Sequence, residues 1–133
     1  MQAPLKVFRS HRVLVVDDNI DHAQTLVMLL KAMGHQTESA VSGEAAIYVA
    51  RRFRPDVVLL DLGLPDVDGI VVCRQLRQES GLENVRILIV TGTGREGDRD
   101  RVMEAGCDQF LQKPVDPWFW ESLFGDQRPG KAY

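Results

Sequence analysis

Asp17, Asp18, Asp61, Thr91 and Lys113 each stand directly behind a short, mostly apolar run of this chain. Asp17 and Asp18 follow Val13-Leu14-Val15-Val16, and Asp61 follows Val57-Val58-Leu59-Leu60. Thr91 follows Ile87-Leu88-Ile89-Val90, and Lys113 follows Phe110-Leu111-Gln112. If each run is a strand of one parallel sheet, all these side chains emerge at one edge. In open α/β sheets that edge, outside the carboxyl ends of the strands, is where ligands bind. Three carboxylates brought to one pocket repel by roughly 4 kcal/mol per pair at 4 Å and an effective dielectric near 20. Lys113 offsets part of that. A hard divalent cation, Mg²⁺ or Mn²⁺, suits an all-oxygen donor set that keeps positions open for water. A carboxylate is also a competent covalent acceptor. The chemistry that needs an acceptor, a cation and an ammonium together is phosphoryl transfer, with Asp61 as acceptor and Thr91 and Lys113 on the phosphoryl oxygens.

The elements that would position these groups alternate along the chain. Strands are expected at Arg12 to Val16, Gln36 to Ala40, Val57 to Leu60, Arg86 to Val90 and Gln109 to Gln112. The four apolar residues 57–60 read as a strand buried on both faces. Between the strands, Ile20, Ala23, Leu26, Val27, Leu30 and Met33 form a helical stripe closed by Gly34. Asp18 or Asn19 is suited to capping that helix. A second helix begins at Ser42, with Ala45, Ala46 and Val49 inward, and ends near Phe53. Gly69 opens a third, with Ile70, Cys73 and Leu76 inward. A glycine-rich, charged stretch from Gly92 to Arg101 leads into a fourth helix ending near Ala105, and a fifth runs from about Pro117 to Phe124. Five strands alternating with five helices imply a doubly wound α/β domain: a five-stranded parallel sheet with helices on both faces. Residues 1–10 read as a lead-in, 11–124 as the domain and 125–133 as a polar tail.

With 133 residues the chain has length for one domain and a real core. A net charge of −3 with interspersed signs argues against nucleic acid as a direct partner. No apolar run approaches the roughly 20 residues of a membrane helix, and residues 1–10 carry no signal-peptide core, so a cytoplasmic location is expected. Cys73 and Cys107 read as two buried reduced thiols. His11, His22 and His35 lack metal-ligand spacing and read as structural or solvent-facing.

Taken together, Val-Leu-Val-Val-Asp-Asp-Asn at 13–19, Leu-Leu-Asp-Leu-Gly-Leu-Pro-Asp-Val-Asp-Gly at 59–69, Thr91-Gly92 and Lys113-Pro114 resemble the receiver domains of two-component response regulators, over about residues 11–124. The resemblance implies the flavodoxin-like receiver fold and a signalling switch rather than an enzyme, limited to its own phosphorylation and dephosphorylation. It implies that Asp61 takes phosphate from a histidine kinase or histidine phosphotransfer protein. It implies Mg²⁺ held by Asp17, Asp18, Asp61 and the backbone carbonyl of Gly63. It implies that Thr91 moves toward the phosphate while Phe110, at the aromatic switch position, turns inward. It implies a cis peptide before Pro114, and a switched partner-binding face built from the fourth helix, fifth strand and fifth helix.

Other features read differently. Asp66 and Asp68 sit in a Pro- and Gly-rich turn and read as turn formers rather than ligands. Gly92-x-Gly94-x-x-Gly97 is a literal dinucleotide-type glycine pattern, but it comes late in the chain and leaves Asp17, Asp18, Asp61 and Lys113 unexplained. Those glycines suit a loop reshaped on activation. The last helix is short and crowded with Trp118, Phe119, Trp120 and Phe124, which cannot all face one way. Trp118 and Trp120 are therefore a candidate partner or homodimer surface. No output domain follows, so the chain reads either as a stand-alone regulator acting on a downstream protein or as part of a longer hybrid kinase or regulator. Two other classes fit the same elements: a phosphorylation-independent scaffold or dimerisation module, and a nucleotide- or flavin-binding α/β domain.

Overall fold

A computed structural model describes residues 10–92 and 97–125. Five strands form one parallel sheet: β1 (Arg12–Val16), β2 (Gln36–Ala40), β3 (Val57–Leu60), β4 (Arg86–Thr91) and β5 (Gln109–Gln112), in the order β2-β1-β3-β4-β5. The helices are α1 (Ile20–Ala32), α2 (Gly43–Phe53), α3 (Gly69–Gln78), α4 (Asp98–Glu104) and α5 (Pro117–Gly125). The doubly wound five-stranded fold expected from the alternation is the fold observed.

Strand alternation splits the core in two. Leu14, Val16, Val58, Leu60, Ile87, Ile89 and Phe110 face α2, α3 and α4, while Val13, Val15, Val57, Leu59, Leu88 and Val90 face α1 and α5. All four residues of β3 are buried because β3 is central and covered on both faces. Each such Val or Leu contributes about 1.5–3 kcal/mol of apolar transfer. β2, at the sheet edge, is more polar, with Gln36 and Glu38 exposed.

Helix ends follow their capping residues. The Asn19 side chain accepts from the His22 N–H, Ser42 from Ala45 and Asp68 from Ile70. Gly34 closes α1 at φ 96°, a conformation that favours glycine. The fourth helix departs from the sequence expectation: it begins at Asp98, behind Gly97 at φ 89°, rather than after Arg101. Its charged first turn was read as loop, but Asp98 and Asp100 lie where the helix dipole favours acids. The expected lead-in and tail, apart from Ser10 and Gly125, and the centre of the glycine-rich loop, residues 93–96, lie outside the described residues. Gly125 belongs to α5 rather than to the tail.

The isolated cysteines pack, as do His11 and His35, whereas His22 is exposed. Cys73 and Cys107 are buried free thiols, and the hydrogen bond between them, with burial, pushes the Cys107 thiol above its ordinary value. At the opposite edge of the sheet from the strand carboxyl ends, the His11 N–H donates to His35 Nδ1 at 3.0 Å. The His35 ring lies 4.6 Å from that of Phe124 in α5. Burial lowers the His35 pKa below 6.5, the neighbouring His11 lowers it further, and Asp56 opposes both. A histidine held low in the folded state binds fewer protons than in the unfolded chain. Its contribution to stability is therefore present above pH 6.5 and lost as pH falls through the lower folded value. An NMR titration of His35 should give a midpoint below 6.5, with stability declining as that proton binds; a midpoint at or above 6.5 would contradict the packing described.

Candidate functional site

The parallel ladder brings the acidic residues together. Val16 pairs with Leu60 across β1 and β3, so the next residues, Asp17 and Asp61, leave the sheet side by side. The ladder continues one step further, with the Asp61 N–H on Val16 O at 2.9 Å and the Asp17 N–H on Ala40 O at 3.0 Å. Asp18 follows into the turn before α1. Asp17, Asp18 and Asp61 each offer a carboxylate oxygen, and these atoms all lie within 4.8 Å of one another. Asp17 is buried, Asp61 half-buried and Asp18 exposed, so the cluster opens to solvent on one side.

Lys113 crosses into this cluster from β5. Its Nζ stands 2.7 Å from Asp17 Oδ2 and 3.1 Å from Asp61 Oδ2. Burial pulls the Lys113 pKa down, but the hydrogen bond to Asp17 and the charge and hydrogen bond of Asp61 outweigh it, and the net shift is upward. The ammonium therefore stays charged at neutral pH. The Lys113-Pro114 peptide is cis. The remaining oxygens are partly committed to the backbone: Asp17 Oδ1 accepts from Asn19 N at 2.9 Å and Asp61 Oδ1 from Gly63 N at 3.0 Å.

Thr91 is the last residue of β4, fully buried, and its carbonyl accepts from the Lys113 N–H at 2.9 Å. Phe110 pairs with Ile89 and faces inward, 9% exposed, with the Arg99 guanidinium 5.5 Å from its ring centre. The two tryptophans separate. Trp118 is 64% exposed, whereas Trp120 is 4% exposed and packs in the α1–α5 core against the edge of Phe119. Trp120 is thus corrected from surface to core, because α5 turns that face toward α1, and Trp118 alone of the pair is available to a partner. Asp66 and Asp68 are not among the clustered carboxylates, as expected, but they do more than form a turn. Asp66 accepts from Gly43 N and Glu44 N in α2, and Asp68 caps α3 and pairs with Arg101 of α4 at 3.3 Å. Gly43, Glu44 and Arg101 lie far from these aspartates in sequence, and no local pattern points to them.

Three carboxylates and one ammonium leave two net negative charges in the cluster. That charge and the all-oxygen donor set fit a hard divalent cation with water completing its shell. Without one, Asp18 repels both neighbours and has no bond to Lys113. Asp18→Asn should therefore stabilise the metal-free protein by about 1 kcal/mol, screened as the site is open, and blunt any stabilisation by added Mg²⁺. Thermal unfolding with and without MgCl₂ measures both; a variant less stable than the parent in the absence of metal would refute the repulsion.

Comparison with known proteins agrees with this geometry. The family model of the response regulator receiver domain matches residues 13–118. The chain is 32% identical over 112 residues to the polar-differentiation response regulator DivK of Brucella anthropi, covering 84% of this chain and 91% of DivK. It is 36% identical over 107 residues to the response regulator PleD of Caulobacter vibrioides, covering 80% of this chain but only 24% of PleD. Among solved structures, the chemotaxis response regulator CheY4 of Vibrio cholerae superimposes with a TM-score of 0.80 at 27% identity, over 86% of this chain and 97% of that one. A putative response regulator from Chloroflexus aurantiacus does so with a TM-score of 0.77 at 29% identity, over 86% and 98%. The sheet order, the clustered aspartates and the bridging lysine are thus those of a chain that belongs to the response regulator receiver domain family of two-component signalling.

Proposed function

We propose that this receiver domain is a phosphoryl-accepting switch, with Asp61 as the acceptor. The observation that carries the reading is the Lys113 ammonium bridging Asp17 and Asp61 within a group of three carboxylates. Such a concentration of like charge costs stability and suits a site that holds a cation and a phosphoryl group.

In the transfer, a carboxylate oxygen of Asp61 displaces the imidazole of a phosphohistidine from phosphorus. The O–P bond forms as the N–P bond breaks, and the imidazole leaves with the bonding pair. Asp17, Asp18, Asp61 and the Gly63 carbonyl would hold Mg²⁺ (or Mn²⁺), which supplies charge neutralisation at the phosphoryl oxygens. Lys113, already charged and aimed at Asp61 Oδ2, pairs with one phosphoryl oxygen. The Thr91 hydroxyl takes another. Asp17 keeps Lys113 in place through the 2.7 Å contact as Asp61 becomes an acyl phosphate.

The phosphodonor, a histidine kinase or histidine phosphotransfer protein, must bring an imidazole up to Asp61. A groove of about 610 Å³ lies beside the cluster, lined by Asp17, His22, Leu26, Lys113, Pro114 and Trp120 among others. It gives a donor helix an apolar seat next to the acceptor. The signal would leave through Thr91 and Phe110, whose strands border α4, toward the face formed by α4, β5 and α5 where Trp118 is exposed. A downstream protein, an output domain or a second copy of the domain would read that face, in the cytoplasm, where such donors work. Among the described residues no helix is long and apolar enough to cross a membrane.

Asp61→Asn should abolish acid-labile phosphorylation by acetyl phosphate in the presence of Mg²⁺, while the fold is retained. Intact-mass measurement before and after acid treatment reads the outcome, and an undiminished label on the variant would sink the assignment.

A further inference from the structure

The geometry points to Asp66 as a positioning residue for the Asp61 site, holding the loop behind the acceptor by clasping the amino end of α2. This rests on the reading of Asp61 as acceptor. Residues 62–68 connect Asp61 to α3 and carry Gly63, whose N–H bonds Asp61 Oδ1 at 3.0 Å. Asp66 Oδ1 accepts from Gly43 N at 2.8 Å and its Oδ2 from Glu44 N at 3.0 Å. These are first-turn donors that a helix cannot satisfy internally, at the end where its dipole favours an anion. The bonds to Gly43 and then Glu44 hold the Asp66 carboxyl below its usual pKa, so both oxygens are charged acceptors at neutral pH.

The fit around the clasp leaves no slack. A Cβ on Gly43 would stand 2.2 Å from Val67 Cγ2 and 2.8 Å from Val72 Cγ2, so only a glycine lets the loop and α3 close on α2. At the other end of the loop, a Cβ on Gly69 would meet the Asp61 carbonyl oxygen at 2.8 Å and Leu62 Cα at 2.9 Å. The acceptor loop is therefore closed on itself where Gly69 N donates to Leu62 O at 3.3 Å, and fastened to α2 through Asp66. Releasing the Asp66 fastening frees the Gly63 peptide and the carboxylate it orients.

α2 supplies its own control. Ser42 caps the same helix end, accepting from Ala45 N at 3.1 Å, and its side chain makes no hydrogen bond to the acceptor loop. Ser42→Ala thus removes a cap from α2 and leaves the loop attached, whereas Asp66→Ala removes a cap and detaches it. Three measurements on each variant separate positioning from mere stability: thermal midpoint, Mg²⁺ affinity by calorimetry, and the rate of phosphorylation by acetyl phosphate. Asp66→Ala should weaken Mg²⁺ binding and slow phosphorylation, each by roughly tenfold, the lower end of what loss of an outer partner of a metal site costs. Ser42→Ala should lower the thermal midpoint and leave both functional values at the parent's level. Asp66→Asn, which keeps one acceptor oxygen, should fall between parent and Asp66→Ala and serves if the alanine variant does not fold. Equal functional values in Asp66→Ala and Ser42→Ala, or in Asp66→Ala and the parent, would overturn the role of Asp66. A parent protein that binds Mg²⁺ but takes no phosphoryl group would instead overturn the acceptor reading, and the Mg²⁺ affinities would still decide the clasp.

Discussion

The ion triad of Asp17, Lys113 and Asp61 sets what the rest of the domain must accomplish. Two carboxylates share one ammonium at 2.7 and 3.1 Å, with a third carboxylate oxygen within 4.8 Å of both. Each carboxylate pair at that separation repels by about 3 kcal/mol at an effective dielectric near 20. Nothing local in the chain offsets this, because the three segments come from β1, β3 and β5. The cost is carried by burial elsewhere. β1, β3 and β4 lie in the middle of the sheet, their apolar residues almost wholly removed from water on both faces. The ladder is therefore rigid where it delivers its charges, and the charges cannot move apart without breaking the sheet.

The polar groups around the triad are satisfied in layers. Asn19 N and Gly63 N orient the carboxylates from behind. The loop that carries Gly63 is in turn fastened by Asp66 to α2 and by Asp68 to α3 and Arg101 of α4. One short loop thus links the Asp61 site to three helices, while Lys113 N on the Thr91 carbonyl ties β4 to β5 on the other side.

α5 is short and aromatic, and it covers the core with Trp120, Leu123 and Phe124 while leaving Trp118 in solvent. Counting aromatics around a helix established that some must be outside. It did not say which, since that depends on the rotation of α5 against α1. The histidines behave likewise: His11 and His35 lie far apart in sequence, and only the pairing of β1 with β2 sets one against the other.

The order of strands and helices, nearly all their limits and the residues at the strand ends were legible in the chain. Short-range physics writes them, through apolar runs, period-3.6 stripes, capping side chains and glycines at helix ends. The clustering of Asp17, Asp18, Asp61 and Lys113 follows from the shared edge only if β1, β3, β4 and β5 are neighbours, which the order β2-β1-β3-β4-β5 supplies. Tertiary structure alone decided how those groups pair, which tryptophan is buried, where α4 starts and what Asp66 holds. The pairing and what Asp66 holds depend on contacts between segments with no sequence relation to one another: a carboxylate reaching another helix's free N–H groups, or a lysine bridging two aspartates. Such contacts exist only once the sheet has brought distant parts of the chain together.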